Sequence, residues 1–179
     1  GNETGIVAIS SVSGGSATES GNQSVTITIN ENESAPTVTL SSSASSIAEN
    51  AGSSLTLTAT LSVATAADVT VAIGTSGTGT EGTDYSTISD ITISAGDLTG
   101  TASFTPTDDS IYEGNETGVV AISSVSGGSA TEDGTQSVTI TITENESSPT
   151  VTLVTSATTI AENAGSSLTL TATSSIVAD

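Results

Sequence analysis

Lysine, arginine, histidine, cysteine, methionine and tryptophan are all missing from this 179-residue chain. Each absence excludes a class of chemistry. With no cation to neutralise phosphates, the chain cannot release counterions from a nucleic acid or be drawn electrostatically to an anionic membrane. Without cysteine there is no disulfide and no thiol nucleophile. Without histidine the commonest general base and transition-metal ligand is gone, and without lysine there is no Schiff base. Aromatic residues are limited to Tyr85, Phe104 and Tyr112, and no apolar run approaches a membrane span of roughly 18 residues. What remains is strongly one-sided. Twenty Asp and Glu give a formal charge of −20 with nothing in the chain to balance it.

High net charge with abundant Gly, Ser and Thr favours disorder, but 34% of the residues are apolar and they are patterned. The pattern begins with a repeat. The segment GNETGIVAISSVSGGSATESG from Gly1 returns from Gly114 as GNETGVVAISSVSGGSATEDG, and SIAENAGSSLTLTAT from Ser46 returns as TIAENAGSSLTLTAT from Thr159. Both pairs lie 113 residues apart. One unit is therefore a domain-sized piece. Residues 36–147 are expected to be one complete repeat. Residues 1–35 correspond to the last part of a preceding repeat, and 148–179 to the start of a following one. The boundaries fall at ENESAP (31–36) and ENESSP (144–149), where proline opens a strand without needing to donate a ladder bond. The sequence reads as a window on a longer tandem array.

Within the unit the period is two. Val38 and Leu40; Leu55, Leu57, Ala59 and Leu61; Val69, Val71 and Ile73; and Val138, Ile140 and Ile142 alternate with Thr, Ser and small residues. Such alternation marks strands with one buried and one wet face. The expected strands are 37–42, 54–61, 68–73, 90–94, 99–105, 117–125 and 136–143. No stretch carries a helical period. About seven strands in about 110 residues imply an all-β fold, an antiparallel immunoglobulin-like sandwich, repeated in tandem.

The acids are unevenly placed. In TDDSIYEGNET (107–117), Asp108, Asp109, Glu113 and Glu116 fall within nine residues, with Gly114 available for a tight turn. Like charges so close repel unless a cation joins them. Hard carboxylate oxygens suit Ca²⁺, which takes six to eight oxygen ligands, better than Mg²⁺ with its strict octahedron. No nitrogen or sulfur ligand exists for Zn²⁺ or Cu²⁺. EF-hand spacing is absent. Glu81, Asp90, Asp97, Glu132 and Asp133 fall outside the acidic loops and are expected to be solvated surface. Sequons at Asn2, Asn22, Asn32, Asn115 and Asn145 arise easily in so Asn- and Thr-rich a chain, and glycans on Asn115 or Asn145 would crowd the metal loops. The three aromatic residues are expected to pack in the core or against loops. They are too few to line a sugar-binding cleft, and no nucleophile has a base beside it, so no enzyme activity is expected.

The succession SIAENAGSSLTLTATLS, GTDY, FTPTDDSIYEGNET and SVTITITENE resembles the Calx-β repeat across the whole unit. That family includes calcium-sensor domains of sodium–calcium exchangers and repeats of very large surface adhesion proteins. The resemblance implies Ca²⁺ at one end of the sandwich. Its ligands would be Glu49 from the A–B loop, Asp84 of the G-x-D-Y motif, and Asp108, Asp109, the carbonyl of Ile111, Glu113 and Glu116 from the E–F loop. Glu144, Asn145 and Glu146 would join them from the tail of the last strand. This tail departs from the consecutive aspartates of the strongest calcium binders. The partial copies keep Glu3, Glu31, Glu33 and Glu162 at matching positions. The function implied is a structural and adhesive array: repeats on short linkers, stiffened by calcium into an extracellular or cell-surface rod. The partners would be calcium ions and neighbouring repeats or identical chains. Two alternatives are a polymeric filament built by strand exchange between chains and an intracellular calcium sensor.

Overall fold

Thr and Ser on one side of each strand keep β-propensity while facing water, and Val, Ile and Leu on the other side need cover. The computed structural model describes residues 2–175, and its described regular structure is all β. Among the described residues no helix is long and apolar enough to cross a membrane. The chain divides into two compact units at Ala35/Pro36.

In the first unit, β1 (Glu3–Ala8) and β2 (Ser24–Ile29) form an antiparallel pair. The second unit holds nine strands of a sandwich: β3 (Thr37–Ser42), β4 (Ser46–Ala48), β5 (Leu55–Leu61), β6 (Val69–Gly77), β7 (Ile91–Ile93), β8 (Thr99–Phe104), β9 (Glu116–Ser126), β10 (Thr131–Glu132) and β11 (Ser137–Thr143). One sheet runs β10-β3-β5-β8 and the other β4-β11-β9-β6-β7. A further antiparallel pair follows, β12 (Val151–Thr155) with β13 (Leu170–Ser174).

The expected strands of the complete repeat all form, with ends moved by a residue or so apart from β6. Alternation stops at Ile73, but β6 runs on to Gly77 through a bulge at Ala72/Ile73 because β9 is long enough to keep pairing with it. Two short strands have no sequence signal of their own. β4 exists by pairing parallel to β11, and β10 by pairing parallel to β3. These parallel bridges join the sandwich's first strands to its last.

The core is the inward face of both sheets: Val38, Leu57, Val71, Phe104, Val120 and Ile140 are fully buried. Burying each such side chain contributes about 1.5–3 kcal/mol. Tyr85 and Phe104 stack with ring centroids 4.6 Å apart. A Cβ on Gly118 would lie 2.7 Å from the Phe104 ring, so this position admits only glycine without rearrangement. Tyr112 is half-buried.

Strand registers fix where the loops gather. Leu55 pairs with Phe104, Gly77 with Gly118, Glu116 with Ile142, and Thr143 with Ala48. Four connections therefore leave from the same end of the sandwich: β4–β5, β6–β7, β8–β9 and the tail after β11. All the acids expected to ligate metal in the complete repeat lie on them or at their margins.

Candidate metal centre

Each connection is held locally before it presents a carboxylate. In GTDY, the Asp84 N–H donates to the Thr80 carbonyl (2.9 Å), its Oδ2 accepts from the Thr80 N–H (2.6 Å), and its carbonyl accepts from Thr107 (2.9 Å). Buried Tyr85 anchors the turn from the next position. In the β8–β9 connection, Asp109 Oδ1 accepts from the Ile111 N–H at 2.6 Å, and Gly114 turns the chain with φ of +80°.

Glu144 is the hub. Its Oε2 accepts from the N–H groups of Glu113 (2.7 Å) and Gly114 (2.8 Å), and its Oε1 from those of Asn145 (3.0 Å) and Glu146 (3.1 Å). Burial works against its ionised form, but donations from Glu146, Glu113 and Gly114 outweigh it and hold the carboxyl down at about 2. Glu144 thereby ties the tail of β11 to the β8–β9 connection.

Seven carboxylates converge around this hub in three overlapping groups. Glu49, Glu144 and Glu146 form one, Glu49, Asp109 and Glu113 the second, and Asp84, Glu113 and Glu116 the third. Within each group, one oxygen per residue lies within 4.8 Å of the others. Such crowding without a cation has a cost. Burial, then the charge of Glu144, pushes Glu49 up to about 7, against an amide donation from Asp109. Burial, then the charges of Asp84 and Glu113, pushes Glu116 up to about 7. Glu146 is raised by its hydrogen bond to Glu144, and its Oε2 is buried with no hydrogen-bond partner. A buried carboxylate oxygen left unpaired is what a hard cation would satisfy. The donor set is all oxygen and fits Ca²⁺.

Of the acids named as ligands from sequence in the complete repeat, Asp108 alone stands apart from these groups, although its charge helps raise Glu146. Ile111 is placed by its N–H to Asp109. Asn145 turns its amide nitrogen to Glu146 Oε1 at 2.9 Å. In the partial copies, Glu3 opens β1, Glu31 and Glu33 follow β2, and Glu162 lies between β12 and β13, outside the three groups.

Sequence reasoning missed Asn115, noticed only as a sequon. Its Oδ1 accepts the Glu144 N–H at 3.0 Å and so positions the hub. The signal was present in the repeat: Asn2 Oδ1 accepts the Glu31 N–H at 2.8 Å in the same way. Acids expected to be solvated surface also have local work. Asp90 accepts from the Ile73 N–H beside the bulge (3.0 Å), and Glu81 from the Ile88 N–H (2.8 Å) and the Thr75 hydroxyl (2.6 Å).

The Calx-beta domain family model matches residues 31–146. The chain belongs to the Calx-β family. Calx-β is a non-enzymatic family of calcium-binding domains. Among the solved structures that resemble this Calx-β chain are two of Calx. "Crystal structure of Apo-form Calx CBD1 domain" is 16% identical with a TM-score of 0.50, covering 61% of this chain and 98% of that one. "Crystal structure of CBD12 from CALX1.2" is 17% identical with a TM-score of 0.48, covering 55% and 41%. At this identity the first likeness speaks for the fold alone. Among curated proteins, none matches.

Proposed function

We propose that the Calx-β domain here binds Ca²⁺ through the end-of-sandwich carboxylates and that the ion stabilises and stiffens the repeat. The observation that carries the reading is the convergence of seven carboxylates, one with a buried unpaired oxygen, in a chain with no cation. Glu49, Asp84, Asp109, Glu113, Glu116, Glu144 and Glu146 would hold the metal. Asp108, the Ile111 carbonyl and Asn145 lie on the same two connections and are assigned supporting places. Bound calcium supplies the counter-charge that lets Glu49 and Glu116 ionise at neutral pH.

We further assign the domain to an array of such repeats, 1–35 and 148–179 belonging to its neighbours, and place that array outside the cell as a calcium-stiffened adhesive rod. Near-identity between copies supports the array. The last site residue, Glu146, and Val151, the first residue of β12, lie five positions apart, which supports coupling between ion and junction. Extracellular modules bind Ca²⁺ at about 10⁻⁴–10⁻³ M, so millimolar calcium would fill such a site. The reading includes no catalytic step, in keeping with the missing His, Lys and Cys.

Isothermal titration of the 179-residue chain with CaCl₂ tests the binding. The expected result is saturable uptake, weakened at least tenfold in Glu49→Gln and in Asp109→Asn. No measurable uptake at millimolar calcium would overturn the proposal.

A further inference from the structure

The ladder between β6 and β9 ends at Gly77 and Gly118, and side chains take over from it. Gly77 leaves the strand with φ of +123°, and a Cβ there would lie 2.1 Å from the Thr117 carbonyl oxygen. Only glycine lets the two backbones come so close. At the next position Thr78 and Thr117 bond through their hydroxyls. The Thr117 N–H donates to Thr78 Oγ1 (2.9 Å), the Thr78 N–H donates to Thr117 Oγ1 (3.3 Å), and the two hydroxyl oxygens lie 3.2 Å apart. Buried Gly79 then donates its N–H to the Thr117 carbonyl at 3.0 Å. Gly77, Thr78 and Gly79 are thus clasped to Thr117.

The clasp stands between two residues of the metal centre. Thr117 directly follows Glu116. On the other side Thr80 carries the run of bonds onward, giving its N–H to Asp84 Oδ2 and its carbonyl to the Asp84 N–H. Asp84 and Glu116 share one carboxylate group with Glu113, although they come from different connections. The Thr107 N–H holds the Asp84 turn to the β8 end of the β8–β9 connection. The clasp holds it to the β9 end, where Glu116 lies. The fit is close: a Cβ on Gly79 would be 3.5 Å from Glu116 Oε2.

We propose that Thr78 and Thr117 are positioning residues of the calcium site, whose hydroxyls hold Asp84 beside Glu116 before an ion arrives and so set the affinity. This rests on the calcium reading of the complete repeat. Two ionised carboxylates repel each other, and a β6–β7 connection free to swing would carry Asp84 away. Calcium would then bind only the fraction of molecules in which the two meet, and the apparent Kd would rise by the inverse of that fraction. Thr78 is exposed and lies beyond the end of β6, so its hydroxyl orders the connection rather than the core. A hydrogen bond of ordinary net strength makes about a fivefold difference to that ordering.

The test compares the 179-residue wild type with Thr78→Val, Thr117→Val, the double variant and Thr78→Ser, by isothermal titration with CaCl₂ and by melting in chelator. Valine keeps the branched shape without the oxygen. Each valine variant should bind calcium about fivefold more weakly. The double variant should lose little more, because the two hydroxyls act as a unit. Thr78→Ser should bind like wild type, and the chelator midpoints should stay close together. In Thr78→Val, hydrogen exchange at the Gly79, Thr80 and Asp84 N–H groups should quicken in chelator and slow again in calcium. Thr65→Val is the control: its hydroxyl donates to the Ala67 carbonyl (2.7 Å) in the β5–β6 connection, at the opposite end, and its loss should leave affinity unchanged. Unchanged affinity in both valine variants, with the wild type binding, overturns the clasp and spares the calcium reading. Equal weakening by Thr78→Ser or by Thr65→Val also overturns it, since the hydroxyl pair would then not be the cause. No uptake by the wild type overturns the calcium reading and the role of the clasp with it.

Discussion

Without calcium, the sandwich should lose stability as pH rises from 5 to 7.5, the reverse of what most carboxylate-rich proteins do on leaving acid. Glu49 and Glu116 each stand at about 7 in the fold, against an ordinary 4.5. Between these values the folded chain holds protons that the unfolded chain has released, so stability must fall with rising pH. Their contribution is full below about 4.5, declines across the window, and is exhausted above about 7. At about 1.4 kcal/mol per pH unit the ceiling is about 3 kcal/mol for each group. Halving each for relaxation and water penetration leaves roughly 3 kcal/mol for the pair. At about 4 °C per kcal/mol, the melting midpoint should drop by ~12 °C in chelator. Calcium favours the ionised carboxylates, so the calcium-loaded midpoint should stay nearly level, and the gap between the two curves should widen from pH 5 to 7.5. Glu144 acts in a different window: held at about 2, it lends stability that is lost as pH falls from 4.5 toward 2. The assay is thermal unfolding by circular dichroism at half-unit pH intervals, with and without calcium. In Glu49→Gln the chelator curve should flatten by about half. A chelator midpoint that rises from pH 5 to 7.5, or a gap that does not change, would refute the reasoning.

Three other outcomes follow from the same geometry. Gly118→Ala drives a methyl group into the Phe104 ring and should destabilise the fold by about 2 kcal/mol, read as a lower urea midpoint with an unchanged slope. Asn115→Ala removes the acceptor of the Glu144 N–H; it should cost about 1 kcal/mol and weaken calcium binding several-fold by titration, although Asn115 is not itself a proposed ligand. Phe104→Ala should cost about 3–5 kcal/mol by emptying the centre of the core, with loss of near-ultraviolet signal from Tyr85, on which Phe104 stacks.

The strands were legible because Thr and Ser alternate so regularly with Val, Ile and Leu that burial has one solution. Val38, Leu57 and Ile140 could be placed inward from spacing alone. β4 and β10 could not, because two or three residues carry no period and form strands only when β11 and β3 run alongside. The extension of β6 past Ile73 was hidden for a similar reason: pairing with β9, not side-chain pattern, sustains it. At the metal end, charge density alone exposed the β8–β9 connection, whereas Glu49 and Asp84 needed the family resemblance because nothing local distinguishes one glutamate on a turn. Asp108 is an instructive exception. Adjacent residues on a loop point different ways, and Asp109 alone of the pair joins the carboxylate groups. Asn115 was legible in principle, since Asn2 makes the same bond in the partial copy, but an uncharged residue gives no electrostatic signal.

The central claim is that calcium supplies the counter-charge missing from the sequence. The most direct measurement is the melting midpoint of the 179-residue chain at pH 7.5 in millimolar CaCl₂, in millimolar MgCl₂, and in chelator at matched ionic strength. An ion at a hundred times its Kd adds about 2.7 kcal/mol, so calcium should raise the midpoint by roughly 10 °C, with magnesium giving a small part of that. Midpoints that coincide in calcium and chelator would contradict the account.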